Sequence, residues 1–117
     1  MKSIGFNVVG IPRPKQSFKI SHGRGYTPKL TTEWIQNIEG EAFLAMRGLA
    51  PLTEDLVVTI DFYLPDRRRR DLDNLSKAVL DACNRIVYQD DQQIVELHLT
   101  KSYGSKECGI TMTVEVR

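Results

Sequence analysis

The chain has two cysteines, no long apolar run, no internal repeat and almost no net charge, and each shortage removes a class of protein. Cys83 and Cys108 lack the paired spacing of a zinc site, and Cys83 falls in a helical apolar stripe. Both are read as reduced thiols of a cytosolic protein. No stretch approaches the roughly 18 apolar residues that cross a bilayer, and no signal-peptide core follows Met1. The expectation is a cytoplasmic protein without a membrane partner. A Gly-rich phosphate loop is also missing, which counts against a nucleotide-dependent transferase. A formal net charge of +1 would count against a dedicated nucleic-acid binder if the charges were evenly spread.

They are not. Residues 1–30 carry six basic side chains (Lys2, Arg13, Lys15, Lys19, Arg24 and Lys29) and no acidic one. Residues 31–66 reverse this, with seven acidic residues against Arg47. Then come four consecutive arginines, Arg67–Arg70, running directly into Asp71-Leu72-Asp73-Asn74. Such a chain folds to a basic face beside an acidic patch, which suits an anionic polymer handled at an acidic metal site.

With 117 residues, 41% apolar and 26% charged, the chain reads as one globular domain spanning 1–117. Ile4–Ile11 reads as a first strand, ended by Pro12 and Pro14. Phe18-Lys19-Ile20 and Tyr26-Thr27 suit a small hairpin around His22-Gly23-Arg24-Gly25. Trp34, Ile38, Ala42, Ala45 and Leu49 recur at three- and four-residue steps, predicting a helix over Thr32–Leu49 with Thr32 as its cap. Leu56–Leu64 alternates cleanly as a strand. A second helix is expected over Asp73–Ile86, capped by Asp73 and burying Leu75, Val79, Ala82, Cys83 and Ile86. Ile94–Tyr103 and Cys108–Val116 alternate as two strands around a Gly104-Ser105 turn, with Val95, Leu97 and Leu99 sharing one side of the first. The fold class that follows is α+β: a two-layer domain with a mixed sheet, two packed helices and a C-terminal β-hairpin.

The chemistry concentrates around the second helix. Asp71 and Asp73 stand at its start, and Lys77 lies one turn further along the same face, with Asn74 and Asp81 nearby. Asp90-Asp91 follows in the turn after the helix, where either residue could complete a carboxylate cluster. Three carboxylates are a typical protein contribution to an Mg²⁺ site. Such an ion would activate water and withdraw charge from a phosphodiester, with Lys77 neutralising charge in the transition state. Taken singly, each piece has a blander meaning: a helix cap, a turn, a surface ion pair worth under about 1 kcal/mol, a solvated basic loop. Their arrangement around one helix favours a metal-assisted reaction on nucleic acid.

Pro65-Asp66-Arg67-Arg68-Arg69-Arg70-Asp71-Leu72-Asp73-Asn74-Leu75-Ser76-Lys77-Ala78 closely resembles the signature of the RusA family of Holliday junction resolvases. Asp90-Asp91-Gln92-Gln93-Ile94-Val95 is similar to that family's second acidic motif. Pro14-Lys15 and Arg24-Gly25-Tyr26-Thr27-Pro28 are similar to its basic arm, a less specific match. The resemblance implies a RusA-like homodimeric endonuclease that binds four-way DNA junctions and nicks two strands symmetrically in recombination and repair. It implies Mg²⁺, with Mn²⁺ able to substitute, and no other cofactor. By position it implies metal-binding aspartates at Asp71, Asp73 and Asp91, with Asp90 as the alternative to Asp91, and a catalytic lysine at Lys77. DNA contacts are implied for Lys15, Arg24 and Arg67, Arg68, Arg69 and Arg70. The competing reading is a protein that binds branched DNA without cutting it. Bare carboxylates in a DNA groove weaken binding unless a metal is used, which counts against that reading.

Overall fold

A computed structural model describes residues 2–15, 19–21, 24–26 and 29–117, with the side chains of 19–21 and 24–26 outside the description. Phe18, His22, Gly23, Thr27 and Pro28 lie outside the described residues, and so does the Arg24 side chain. The elements run β1 (Ser3–Val9), β2 (Lys19–Ser21), β3 (Arg24–Tyr26), α1 (Lys29–Met46), β4 (Leu56–Tyr63), α2 (Leu72–Ala82), β5 (Ile94–Ser102) and β6 (Gly109–Val116), with a 3₁₀ turn at Asp91–Gln93 before β5. The α+β class and the mixed sheet stand as expected, and β2 and β3 pair as a small antiparallel hairpin.

The C-terminal hairpin does not form. The four-stranded sheet has the order β1-β6-β4-β5, so β5 and β6 lie on either side of β4. β4 pairs parallel with β5 and antiparallel with β6. A tight turn cannot step over a strand, but Tyr103–Cys108 is long enough to span the roughly 10 Å across two strand spacings. The strand best able to fill the middle is β6, whose Ile110, Met112 and Val114 are buried. The edge goes to β5, and its apolar alternation is left partly uncovered. Leu97 and Leu99 pair beside Val58 and Ile60, yet Leu97 stays 40% exposed and Val95, next to a register shift, 47% exposed.

One face of the sheet is the core side. Leu56, Val58, Ile60 and Phe62 of β4 pack with Trp34, Ile38, Ala42 and Met46 of α1 and Leu75, Val79 and Ala82 of α2. Burying side chains of this size stabilises by about 1.5–3 kcal/mol each before entropy is counted. The opposite face is polar, with the Thr100 hydroxyl donating to Asp61 at 2.5 Å and Tyr63 bonded to Thr111 at 3.2 Å.

Helix limits differ from the periodic stripe for local reasons. Arg47 and Gly48 have φ of 50° and 79°, so α1 stops at Met46 and Leu49 stands outside the stripe, 64% exposed. α2 ends four residues before Ile86, in a turn where Arg85 has φ 67° and its N–H donates to the Tyr88 carbonyl at 2.6 Å. The N-cap position of α2 is held by Asp71 rather than Asp73, with no capping bond from the Asp71 side chain, and Asp73 occupies the first turn. Both cysteines are free. Burial, followed by Glu39, pushes the Cys83 thiol up to about 12, which leaves it inert at neutral pH.

Candidate active site at the arginine turn

A strand, a turn and a helix set the site. Leu64, just after β4, is fixed on both backbone groups: its N–H donates to Ser102 O at 2.9 Å, and its carbonyl accepts from Ser105 N–H at 3.1 Å. The arginine turn therefore leaves from a pinned strand end. Within it, the Asp66 carboxylate accepts from the Arg68 N–H at 3.0 Å and from Arg70 Nη1 at 2.9 Å. The Arg68 amide first, then Arg70, holds Asp66 below the usual carboxylate range. The Arg70 side chain is only 14% exposed. Arg67, Arg68 and Arg69 point into solvent, with side chains of Arg68 and Arg69 83% and 91% exposed.

A second support comes from β5. Lys101 Nζ donates to the Arg70 carbonyl at 2.7 Å, and the Arg67 guanidinium lies over the Tyr103 ring at 4.5 Å. Neither Lys101 nor Tyr103 was singled out from the sequence. Their role follows from the strand pairing: the parallel partners of a β-α-β unit end at the same edge of a sheet, where ligands collect. Here Phe62 pairs with Lys101 and Tyr63 with Ser102, so the end of β5 lies beside the arginine turn.

The turn delivers Asp71 to the N-terminal end of α2, with the Leu75 N–H donating to the Asp71 carbonyl at 3.0 Å. Arg69 Nε stands 3.6 Å from the Asp71 carboxylate. Asp73 and Lys77 are both exposed, one turn apart, and neither has an ion-pair partner among the described residues. Asp81, a further turn along, pairs with Lys15 Nζ. Lys15 also touches α2 through its N–H, which donates to the Asn74 carbonyl at 3.4 Å. Lys15 thus lies along α2.

Asp90 and Asp91 have different surroundings. Asp90 caps the 3₁₀ turn: its Oδ1 accepts from the Gln92 N–H at 2.9 Å, and its own N–H donates to Gln93 Oε1 at 2.9 Å. Gln93 Nε2 then reaches the carbonyls of Leu52 and Glu54, each at 2.9 Å. That cap leaves Asp91 as the carboxylate turned toward α2. Burial first, then contact with Asp90 and the charge of Asp81, holds Asp91 above the usual carboxylate range. Buried Tyr88 keeps this segment against α2 by donating its hydroxyl to the Leu80 carbonyl at 2.7 Å.

The donors available here are carboxylate oxygens, the ligands a hard divalent cation takes, and the raised Asp91 is a group short of positive charge. In that chemical sense the residues fit the ion. Among the described residues, however, no three His, Cys, Asp or Glu side chains stand together as a metal-holding group. Asp71 is near Arg69, whereas Asp91 is near Asp81. Asp71, Asp73 and Lys77 stand at the start and over the first turns of α2, and Asp81, with Lys15 and Asp91 beside it, stands one turn beyond Lys77 on the same face.

Between the arginine turn and the N-terminal segment lies a cavity of about 450 Å³, bordered by Pro12, Arg13, Pro65, Arg69, Asp71 and Asn74 among others. No helix among the described residues is long and apolar enough to cross a membrane.

A family model described as endodeoxyribonuclease RusA matches residues 7–115. The crossover junction endodeoxyribonuclease RusA of Escherichia coli K12 is 40% identical to this chain over 104 residues, covering 88% of this chain and 86% of that protein. The protein of that name from Aquifex aeolicus is 26% identical over 105 residues, covering 89% and 82%. Its counterpart from Enterobacteria phage 82 is 40% identical over 58 residues, covering 49% and 48%. With nearly the whole chain matched and the arginine turn leading straight into Asp71 and Asp73, the chain belongs to the RusA family of endodeoxyribonucleases.

Proposed function

We propose that this chain is a crossover junction endodeoxyribonuclease, a phosphodiester hydrolase that resolves four-way (Holliday) DNA junctions by paired symmetric nicks in DNA recombination and repair. The observation that carries this reading is family membership over residues 7–115, together with a solvent-facing arginine turn set against exposed carboxylates. It acts in the cytoplasm as a homodimer, since a junction has two symmetry-related scissile phosphates and a two-fold dimer offers two matching sites.

Asp71, Asp73 and Asp91 are the residues we assign to an Mg²⁺ ion, which Mn²⁺ can replace. When bound, the ion would withdraw charge from the scissile phosphate and ease deprotonation of the attacking water. The protein's own residues do the rest. Arg67, Arg68 and Arg69 fork onto DNA phosphates, and Lys15 and Arg24 extend the basic track. Arg70 braces the turn from within. Lys77, exposed and one turn from Asp73, meets the charge that grows on the phosphate as its bond breaks. Asp90 holds the 3₁₀ turn so that Asp91 faces the helix.

The test is a synthetic four-way junction, labelled on each strand in turn, incubated with Mg²⁺ and then with EDTA. Paired symmetric nicks that vanish with EDTA are expected. Asp73→Asn should bind the junction as before and cut it at least about a hundredfold more slowly, and Lys77→Ala should slow cutting more than binding. Tight binding with no nicks, in Mn²⁺ as well, would make the protein a junction binder that does not cut.

A further inference from the structure

The cavity beside Asp71 has two unlike walls. Ile11, Pro12, Pro14 and Pro65 give it an apolar side; Arg13 and Arg68–Arg70 give it a guanidinium-rich one, in which Asp66 and Asp71 are paired with the arginines, and Asn74 stands at the helix end. Both walls are held in place. The N-terminal segment is tied at Gly10, whose N–H donates to Cys108 O at 3.0 Å, and at Lys15, whose N–H donates to Asn74 O at 3.4 Å. On the arginine side the Asp66 bonds hold the Arg68 backbone and the Arg70 guanidinium, while the exposed Arg68 and Arg69 side chains can turn onto a phosphate. Proline rings lose little freedom when they meet a ligand, so the cavity is largely pre-organised.

Its volume of about 450 Å³ falls in the range of small-molecule sites and far exceeds the room a lone phosphate needs. A flat apolar wall facing a set of guanidinium forks suits a planar ring joined to a phosphate. A base stacked in duplex cannot reach such a wall, because its neighbours cover both faces. A nucleotide at the branch of a junction leaves its stack at lower cost.

Building on the junction-endonuclease reading, we propose that this cavity takes one unstacked nucleotide next to the scissile phosphate. Its base lies against Pro12, Pro14 and Pro65, its phosphate against the arginine wall, and its edge meets the Asn74 amide, which both donates and accepts. The cavity is thus a specificity-determining subsite: it selects which phosphate is brought to Asp71.

The experiment uses junctions that carry 2-aminopurine, or an abasic site, at each nucleotide around the cut in turn. They are bound to the wild-type protein in Ca²⁺ to read fluorescence, then transferred to Mg²⁺ to read cutting. Emission should rise severalfold at one position only. An abasic site at that position should slow cutting about tenfold or more, as for one lost base contact. Ile11→Trp and Pro14→Trp, which fill the cavity, should abolish the fluorescence rise and cut intact and abasic junctions at equal rates. The wild-type fluorescence scan stands without the variants, so a misfolded variant does not blunt the test. Paired nicks with no position brightened, or abasic and cavity-filling effects that simply multiply, would overturn the subsite and leave the nuclease standing. A junction neither bound nor cut would remove both.

Discussion

Arg70 Nη1 donates to Asp66 Oδ1 at 2.9 Å and to the Asp66 carbonyl at 3.3 Å, closing the arginine turn on itself from within. One arginine of the four is thereby spent on holding the others outward. Asp66→Ala removes the carboxylate that accepts from both Arg70 and the Arg68 amide and leaves Arg70 only the longer bond to the backbone carbonyl. Junction cutting should slow about tenfold while the melting temperature stays nearly constant. The Asp66 carboxyl lies below the usual range, so what it contributes is present above its unfolded pKa and is lost only as pH falls through the folded one. Rates measured between pH 6 and 8 should therefore show no titration from Asp66.

Asp91 has the opposite sign. Its folded pKa is raised, so over the interval between the unfolded and folded values the native state holds more protons, and stability falls as pH rises. Asp91→Asn should melt above the wild type at pH 7 without metal, and the difference should close as pH is lowered through the carboxylate range. Mg²⁺ should raise the melting temperature of the wild type and leave that of the variant unchanged. Thermal melts across pH, with Mg²⁺ and with EDTA, check both halves. A variant that melts below the wild type at pH 7 would show that Asp91 is not under electrostatic strain.

Tyr103 supports Arg67 through its ring face, a contact worth about 0.5–1 kcal/mol at an exposed site. Tyr103→Ala should weaken junction binding about threefold to fivefold. Tyr103→Phe, which keeps the ring, should bind as the wild type does. Fluorescence anisotropy on a labelled junction separates the two, and equal loss in both variants would place the effect in the hydroxyl instead.

Replacing Arg67, Arg68 and Arg69 together by alanine should flatten the dependence of log affinity on log salt by up to about 2.7 units per site, if each neutralises one phosphate at roughly 0.9. An unchanged slope would exclude these side chains from the DNA contact.

The local pieces of this molecule were readable in the sequence because they rest on periodicity and on short motifs. The β4 alternation, the α1 stripe from Trp34 to Ala42, and the Asp71–Lys77 spacing all concern residues close along the chain. Pairing between distant segments was not readable. Two alternating stretches with a turn between them describe a hairpin and a pair separated by a third strand equally well, so the place of β5 beside β4 was missed. With it went Lys101 and Tyr103, whose role depends on that placement. The N-cap expected at Asp73 stands two residues too late for a related reason: Asp is equally suited to either position, and only the backbone decides between them. Asp81 was noted near the right face, but its contacts with Lys15 and Asp91 come from two segments that meet only in the fold.

The strand order carries one more consequence, for how the molecule is made. β6, the last element of the chain described here, lies between β1 and β4, and β1 has no other partner in the sheet. A nascent chain holding everything up to Tyr103 has β4, α2 and the acidic turn, yet its first strand has nothing to pair with. Closure waits for Gly109–Val116 to insert between two segments synthesised long before it, a non-local step of the kind that slows folding. Gly109 sits at the start of that insertion with φ 156°, where a Cβ would come 2.0 Å from the Val8 carbonyl oxygen. A DNA-cutting surface assembled this way becomes rigid only once β6 has been made.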